Sequence, residues 1–261
     1  MSIHEHPEAR KEFRASIIDG PRRRPAPTVR IFTDFDGTLL TEDVGDRLLR
    51  RFCGAERYRQ LLDQWRAGEL TAVECYRGLF SGIDRLTPEM LEQFLTPFEI
   101  DPSFAPFVHW CEGRGFPLLI VSDGFDAYID PLLRRAGVSV PHRANHLVLG
   151  DTAPIPEFPY QDASCPELAN CKRTHLLLET QDEDIVVYVG DGRSDFEAAT
   201  LADVVFARGA LERWCQEQNI SFRRFYSFTT VQDVLFMMIE QHRLRPRKHA
   251  RVLRQQLWAT G

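Results

Sequence analysis

Three short apolar runs, each of which stops abruptly at a polar turn, constrain the fold more than any other feature of the sequence. The runs are VRIFTDF, PLLIV and DIVVYV, and the turns that follow them are DGT, SDG and GDG. Runs this short and this rich in β-branched residues predict buried strands. Segments with helical periodicity separate them, so the sequence predicts an α/β fold with a doubly wound, mostly parallel sheet. Ligands bind such sheets at the carboxyl ends of the strands, where the three turns would lie.

The predicted sheet is interrupted by a helical module. Residues 43–100 contain apolar stripes at helical spacing and no convincing strand, which predicts a helical domain inserted into an α/β core of residues 28–42 and 101–240. Residues 1–27 end in GPRRRPAP and are predicted to form an N-terminal arm. Residues 241–261 carry six basic and no acidic side chains, which predicts a solvated or disordered basic tail. Contact of this tail with an acidic partner, a membrane surface or the protein's own body is the alternative.

Charge is distributed unevenly along the chain. The formal net charge is −6, but residues 31–240 carry 19 basic and 34 acidic side chains. Because an acidic body is not typical of nucleic-acid binding, no nucleic-acid partner is expected, and binding through the basic tail is the alternative. No run approaches the roughly 18 apolar residues of a membrane span, and MSIHEHPEARKEFR lacks the apolar core of a signal peptide. We therefore expect a cytoplasmic protein without a membrane partner. Assembly into a homodimer is an alternative that the sequence leaves open.

Six cysteines are spread through the chain, and free, mostly buried thiols are the default for a protein that is not secreted. Cys165 and Cys171 are close in sequence, but no second pair at the spacing of a zinc site accompanies them. A structural metal or a disulfide at this pair stays open as the less favoured alternative.

The first polar turn contains two carboxylates, Asp34 and Asp36, which should point the same way from an extended strand. Two carboxylates this close repel each other, so one pKa should rise. An ionised nucleophile beside a protonated acid would result. Gly37, before Thr38, lets the chain turn and exposes backbone N–H groups that can hold an anion. The alternative is a metal-binding or Asx-type turn without chemistry.

The second turn and a single lysine point to phosphate. The hydroxyl of Ser122 and the turn amides at Asp123 and Gly124 suit phosphate oxygens, although Ser-Asp-Gly is also ordinary turn chemistry. Lys172 is the only lysine in residues 31–240, which suggests an ammonium point charge at a site. A chance surface lysine is the alternative.

The third turn places Asp191 and Asp195 four residues apart where a strand becomes a helix. Carboxylates are hard oxygen ligands that suit Mg²⁺, and the turn leaves room for waters and a substrate phosphate. The alternative is a helix that is capped by Ser194, with Asp195 favoured by the helix dipole.

In this order, and at the ends of strands, the four motifs resemble those of the haloacid dehalogenase-like hydrolases over roughly residues 29–235. The resemblance implies phosphoryl transfer through an aspartyl-phosphate. Asp34 would attack phosphorus, and Asp36 would protonate the leaving oxygen and then activate water. A dehalogenase of this family lacks the second of these aspartates.

The resemblance also assigns the ligands. Mg²⁺ would be held by the Asp34 carboxylate, the Asp36 backbone carbonyl and Asp191, and Asp195 would support Asp191 or the waters of the metal. The residues that would bind the phosphate are Gly37, Thr38, Ser122, Asp123, Gly124 and Lys172. Mg²⁺ and Lys172 would offset the carboxylates that otherwise repel a phosphate dianion.

The helical module lies between Asp34 and Ser122, where the phosphoserine phosphatase-like branch of this family inserts its cap. In that branch, cap closure excludes water and selects the substrate. Asp43, nine residues after Asp34, falls where the branch carries an acidic residue that faces the substrate. An acidic residue at a helix N-terminus is the alternative role for Asp43.

Within this branch, the chain resembles the methionine-salvage phosphatases that act on 2-hydroxy-3-keto-5-methylthiopentenyl-1-phosphate. The resemblance lies in IVSDGFDAYIDPLL, CPELANCKRTHL and GDGRSDFEAATLADVVFAR. It departs at Asp123, because the second motif of that group usually reads Ser-Gly-Gly. We therefore expect a Mg²⁺-dependent phosphatase for that metabolite, or for phosphoserine, phosphoethanolamine, phosphocholine or a sugar phosphate. A non-catalytic binding or regulatory protein on the same fold is the rival hypothesis.

Overall fold

A computed structural model of the chain describes residues 28–260, so the predicted arm of residues 1–27 lies outside the described residues. One sheet contains seven strands, which are β1 (Val29–Thr33), β2 (Leu118–Phe125), β3 (His142–Val148), β4 (Ile155–Glu157), β5 (Ile185–Gly190), β6 (Val204–Ala207) and β7 (Arg223–Arg224). Their order is β4-β3-β2-β1-β5-β6-β7, and every neighbouring pair is parallel except β3 with β4. The predicted fold class is confirmed.

The central strand, β1, sets the position of the polar turns. Its last residue, Thr33, pairs with Ile120 of β2 on one side and with Val189 of β5 on the other. Side chains alternate along β1, so that Ile31 enters the core on one face of the sheet and Phe32 the core on the other. Because β1, β2 and β5 run parallel to one another, the chain leaves all three strands at the same edge of the sheet.

Four helices form the inserted cap between β1 and β2. They are α1 (Val44–Phe52), α2 (Ala55–Arg66), α3 (Ala72–Phe80) and α4 (Pro88–Leu95). Thr71 begins α3 with a capping box, in which its hydroxyl accepts from Glu74 N and the Glu74 carboxylate accepts from Thr71 N. Thr87 caps α4, and Pro88 occupies the first turn, where a missing N–H costs nothing.

The cap is closed against the core. Tyr76 on α3 donates from its hydroxyl to Asp123 O over 3.3 Å. Ala72 N donates to Pro166 O over 3.0 Å, and Trp65 Nε1 donates to the carbonyl of the next core residue, Glu167, over 3.2 Å. The cap is therefore held over the edge of the sheet at which the polar turns lie.

The remaining helices cover the sheet. They are α5 (Phe104–Arg114), α6 (Asp126–Arg135), α7 (Lys172–Glu179), α8 (Phe196–Leu201), α9 (Gly209–Glu217), α10 (Phe228–Glu240) and α11 (Lys248–Thr260), and a 3₁₀ turn, Arg193–Asp195, precedes α8. Among residues 28–260, no helix combines the length and the apolarity that crossing a membrane requires.

The C-terminal segment differs from the solvated or disordered tail expected from its charge, because α11 packs on α7 and α8. Arg254 is fully buried and donates to Leu201 O and to the Asp203 carboxylate. Trp258 Nε1 donates to Leu177 O over 2.8 Å, and Ala250 is fully buried. The basic residues of this segment thus include a buried ion-pair partner, and the protein's own body is what the tail contacts.

Candidate active site

Asp34 comes directly after β1, where its N–H still donates to Val189 O over 2.9 Å. Its side chain is almost fully buried, and its Oδ1 lies 2.6 Å from the Nζ of Lys172. Burial raises the pKa of Asp34, Asp195 raises it further, and Lys172 opposes both. The strand therefore presents a carboxylate whose ionised form depends on nearby cations.

Lys172 is a buried residue of this site and not a surface lysine, since it is 1% exposed. It begins α7, and its Nζ lies 2.6 Å from Asp34 Oδ1, 2.6 Å from Asp195 Oδ1 and 2.9 Å from Ser194 Oγ. Burial alone would lower the pKa of Lys172, but the carboxylates of Asp195 and Asp34 raise it above its ordinary value. Its ammonium is a fixed positive charge between the first and the last motifs.

Asp195 is held by four donors. Its Oδ1 accepts from Lys172 and from the Tyr188 hydroxyl over 2.7 Å, and its Oδ2 accepts from Asp191 N over 2.8 Å and Gly192 N over 2.9 Å. This arrangement favours the supporting role, because the Asp195 carboxylate fixes both Lys172 and the turn that carries Asp191. Ser194, expected as an alternative cap, accepts from Lys172 instead.

Asp191 faces the first turn. Its Oδ1 accepts from the Thr38 hydroxyl over 2.9 Å. Gly37 has a φ of +75°, and a Cβ at this position would collide with the Asp191 carboxylate, so glycine is required on both counts. Burial and Asp195 raise the pKa of Asp191 to about 6.

The carboxylates of Asp34, Asp191 and Asp195 each offer an oxygen, and these oxygens all lie within 4.8 Å of one another. Three carboxylates face one ammonium, which leaves an excess of negative charge in a buried space. Hard oxygen donors in such a cluster suit Mg²⁺, and because Asp195 already has four donors, Asp34 and Asp191 are the side chains best placed to bind it. The donor set therefore fits the expected metal.

Asp36 lies in a different environment. Its Oδ1 accepts from Val44 N over 2.8 Å, and its Oδ2 accepts from the Tyr128 hydroxyl over 2.6 Å. Burial and the neighbouring Asp43 raise the pKa of Asp36 to about 8. A carboxyl group with this pKa holds its proton at neutral pH and can donate it.

Two residues of the second motif fill different roles. Ser122 is buried, and its Oγ accepts from Gly124 N over 3.0 Å. Asp123 was expected to offer its backbone amide to the phosphate, and its carboxylate accepts from Ala169 N over 3.0 Å and Asn170 N over 2.7 Å. The turn expected at these residues is not formed, because β2 continues through them to Phe125, and from this strand the Asp123 side chain fixes the loop that leads into Lys172.

Asp43 is the N-cap residue of α1, and its Oδ1 accepts from Asp46 N over 2.7 Å. The structure therefore shows the alternative that the sequence left open, an acid at a helix N-terminus. Asp43 also lies close enough to raise the pKa of Asp36, so it stays at the edge of the site.

Three supporting residues were missed by the sequence analysis. Tyr188 and Tyr128 donate to Asp195 and Asp36, and Arg208 donates to the carbonyls of Gly37, Thr38 and Leu40. A tyrosine inside the apolar run DIVVYV was an available signal for Tyr188. Tyr128 and Arg208 act across long sequence separations, and no local pattern indicates them.

Comparison with known proteins decides the family. Residues 31–200 match the sequence profile of the haloacid dehalogenase-like hydrolases. The chain belongs to this family. A relative from Exiguobacterium sibiricum, named 2-hydroxy-3-keto-5-methylthiopentenyl-1-phosphate phosphatase, is 31% identical over 80% of this chain and 96% of its own. Another from Schizosaccharomyces pombe, named Pdp3-interacting factor 1, is 27% identical over 77% of this chain and 92% of its own.

A solved structure, titled phospho-aspartyl intermediate analogue of phosphoserine phosphatase, shares the fold of this haloacid dehalogenase-like hydrolase. Its TM-score is 0.59 at 18% identity, and the match covers 80% of this chain and 99% of the other. The predicted family, and with it the prediction of a phosphatase, is confirmed. The residue roles assigned from the resemblance stay predictions.

Proposed function

We propose that this protein is a Mg²⁺-dependent phosphatase that hydrolyses a small phosphomonoester through an aspartyl-phosphate on Asp34. One observation carries the proposal: a buried Asp34 carboxylate lies 2.6 Å from the Lys172 ammonium, beside the carboxylates of Asp191 and Asp195. A phosphate dianion can enter such a site only if cations offset the carboxylates. Preorganised charge of this kind supplies most of the catalysis in phosphoryl transfer.

The chain's own residues divide the reaction between them. An Asp34 oxygen attacks phosphorus, and Asp36, which holds its proton at neutral pH, donates that proton to the leaving oxygen. Asp36, now ionised, then takes a proton from the water that hydrolyses the aspartyl-phosphate. Lys172 offsets the charge of the phosphoryl oxygens. Asp34, Asp191 and the Asp36 carbonyl would hold Mg²⁺, which supplies further charge stabilisation to the phosphoryl group.

For the substrate, we take 2-hydroxy-3-keto-5-methylthiopentenyl-1-phosphate as the first candidate. The name of the 31% identical relative supports it. Phosphoserine, phosphoethanolamine, phosphocholine and sugar phosphates are the alternatives. The cytoplasmic location and a homodimer stay predictions.

Turnover of a panel of these phosphomonoesters tests the proposal, with Mg²⁺ and with a chelator. Asp34→Asn should abolish turnover of every ester, a loss of at least about 10³-fold, because the amide is a poor nucleophile. The matched control is Asp63→Asn, a change at an exposed cap residue that should leave turnover unchanged. Retained activity in Asp34→Asn, or no Mg²⁺-dependent turnover of any ester, would contradict the proposal and favour a non-catalytic binding protein.

A further inference from the structure

A second cluster of ligand atoms lies outside the carboxylate site and is built around sulfur. Cys165 Sγ, Cys171 Sγ and a carboxylate oxygen of Glu197 all lie within 4.8 Å of one another. Both thiols are free and 1% exposed. The three residues come from separate segments, which are the loop before α7, the N-cap of α7 and the first turn of α8. The fold brings these three side chains together, and none of them takes part in the proposed reaction.

The chemistry of these donors differs from that of the magnesium site. Thiolates are soft ligands that select Zn²⁺ over Mg²⁺, and zinc accepts carboxylate oxygens beside them. With Zn–S bonds of about 2.3 Å, ligand atoms on a tetrahedral ion lie roughly 3.5–4 Å apart, which the present spacing allows with small side-chain rotations. The side chain of Glu197 is 47% exposed, so the cluster is open to solvent on one side.

The charges around the cluster also fit a divalent ion. Two thiolates and one carboxylate around Zn²⁺ leave a single negative charge. Arg173 Nη1 lies 2.7 Å from Glu197 Oε2, so its guanidinium offsets that charge and holds the carboxylate in place. A second carboxylate lies beside the cluster, because Cys165 Sγ donates to Glu167 Oε1 over 3.3 Å, but Glu167 is not among the residues whose ligand atoms all lie within 4.8 Å of one another.

We propose that Cys165, Cys171 and Glu197 bind Zn²⁺ in a structural site, with a water from the open side of the cluster as the fourth ligand. Cys171 directly precedes Lys172, and Glu197 follows Asp195 by two residues. The ion would therefore fasten together the loop and the two helices that position the site lysine and its carboxylate partner. This proposal does not depend on the proposed function, since it needs neither turnover nor Mg²⁺.

Metal analysis of the full chain tests it. Protein purified from zinc-supplemented cells without chelator should carry close to one zinc per chain by plasma mass spectrometry. Cys165→Ser and Cys171→Ser should each lose most of it, and Glu197→Gln should release it at a lower concentration of a competing chelator. Cys53→Ser is the control, because Cys53 is a buried free thiol in the cap and should leave the zinc content unchanged.

Two further measurements keep the test decisive if a variant folds poorly. Wild-type protein loaded with Co²⁺ should show thiolate-to-cobalt charge transfer and the visible bands of a tetrahedral ion, and removal of zinc should lower its melting temperature. Absence of zinc from wild type, zinc retained in both Cys165→Ser and Cys171→Ser, or a Cys165–Cys171 disulfide in the peptide map of unreduced protein would each overturn the proposal.

Discussion

Asp34 and Asp36 leave the same strand two residues apart, yet the protein surrounds them differently. The carboxylate of Asp34 contacts a cation, the Lys172 ammonium, at 2.6 Å. The carboxyl of Asp36 accepts from two neutral donors, Val44 N and the Tyr128 hydroxyl. Burial raises the pKa of both side chains, but Asp34 has an ammonium in direct contact that opposes this shift, which is what an ionised nucleophile beside a general acid requires.

The two surroundings also differ in where they come from. Lys172 and its partner Asp195 belong to the helix before β5 and to the 3₁₀ turn after it, whereas Val44 and Tyr128 belong to the first cap helix and to the helix after β2. The Asp36 environment is therefore built partly by the cap, and the Asp34 environment is built by the core alone. This predicts that changes around Asp36 alter the handling of the leaving group, and that changes around Asp34 remove the reaction altogether.

The largest effect that would sharpen this comparison is Asp36→Asn. Loss of a general acid should lower turnover of alkyl phosphates about 10²–10⁴-fold. The loss should be smaller for p-nitrophenyl phosphate, because its leaving group departs without a proton. Because Asp36 is also the proposed base for hydrolysis of the aspartyl-phosphate, single-turnover rates of leaving-group release are compared on both substrates, with the exposed Asp233→Asn as control. Equal losses in that first step would show that Asp36 is not the acid.

Lys172→Ala tests the other half of the comparison. Removing the ammonium leaves the buried carboxylates of Asp34 and Asp195 without their cation, which should cost about 3–5 kcal/mol of unfolding free energy as well as activity. Lys172→Arg should not restore activity, because the planar guanidinium does not fit a point-charge site. Urea unfolding measures the first effect, with the exposed Lys248→Ala as control. Unchanged stability would mean that these carboxylates are not held ionised by Lys172.

A smaller effect is expected at Asp123, the aspartate that departs from the usual second motif. At pH 5, Asp123→Ala should lower the unfolding free energy by about 2 kcal/mol, because Ala169 N and Asn170 N lose their acceptor. Burial raises the pKa of Asp123 from 3.8 to about 7. Because the folded protein holds this proton more tightly than the unfolded chain, the free energy of unfolding should fall as pH rises from 5 towards the pKa of about 7. The variant has no carboxyl group at this position and should not show this decrease.

Denaturation of wild type and Asp123→Ala from pH 5 to 8 checks this, with Asp151→Ala as a control at a side chain that is 86% exposed. The difference between wild type and variant should narrow towards pH 8. A difference that stays constant, or that widens, would show that Asp123 is already ionised at pH 5.

The three central strands, the first and third polar turns and the four motifs could be predicted because short-range patterns determine them. The second predicted turn is wrong, because β2 continues through Ser122-Asp123-Gly124 to Phe125. An apolar run that stops at Asp-Gly reports a strand end, and residues placed after adjacent parallel strands meet at one edge. The helical cap could be placed for the same reason, since its stripes are local. The sequence also favours two strands, near residues 138–145 and 146–149, and a Pro- and Asp-rich loop over residues 151–166. The structure instead has a single strand, β3, in place of the two, and short β4 lies within that loop.

What could not be predicted depends on contacts between distant segments. Charge alone suggested a solvated tail, but Arg254 finds Asp203 across the fold and becomes a buried ion-pair partner. The Asp123 side chain could have faced a phosphate or a neighbouring loop, and only the path of residues 158–170 decides between them. The turn residues alone do not specify which hydroxyl approaches Asp36, because Tyr128 lies 92 residues further along the chain.

Of the variants considered, Tyr128→Phe is expected to have the smallest effect, and it changes the environment of Asp36. The Tyr128 hydroxyl stands beside Gly124, where a side chain would collide with it, and donates to Asp36 over 2.6 Å. Removing one such bond to an ionisable group should lower turnover of alkyl phosphates about 10-fold, with Tyr226→Phe, whose ring is 73% exposed, as control. Because this bond lowers the pKa of Asp36, the alkaline limb of the pH–rate profile, near pH 8 in wild type, should move upwards in the variant. A limb that stays in place, or that moves down, would show that Tyr128 packs against Asp36 without controlling its proton.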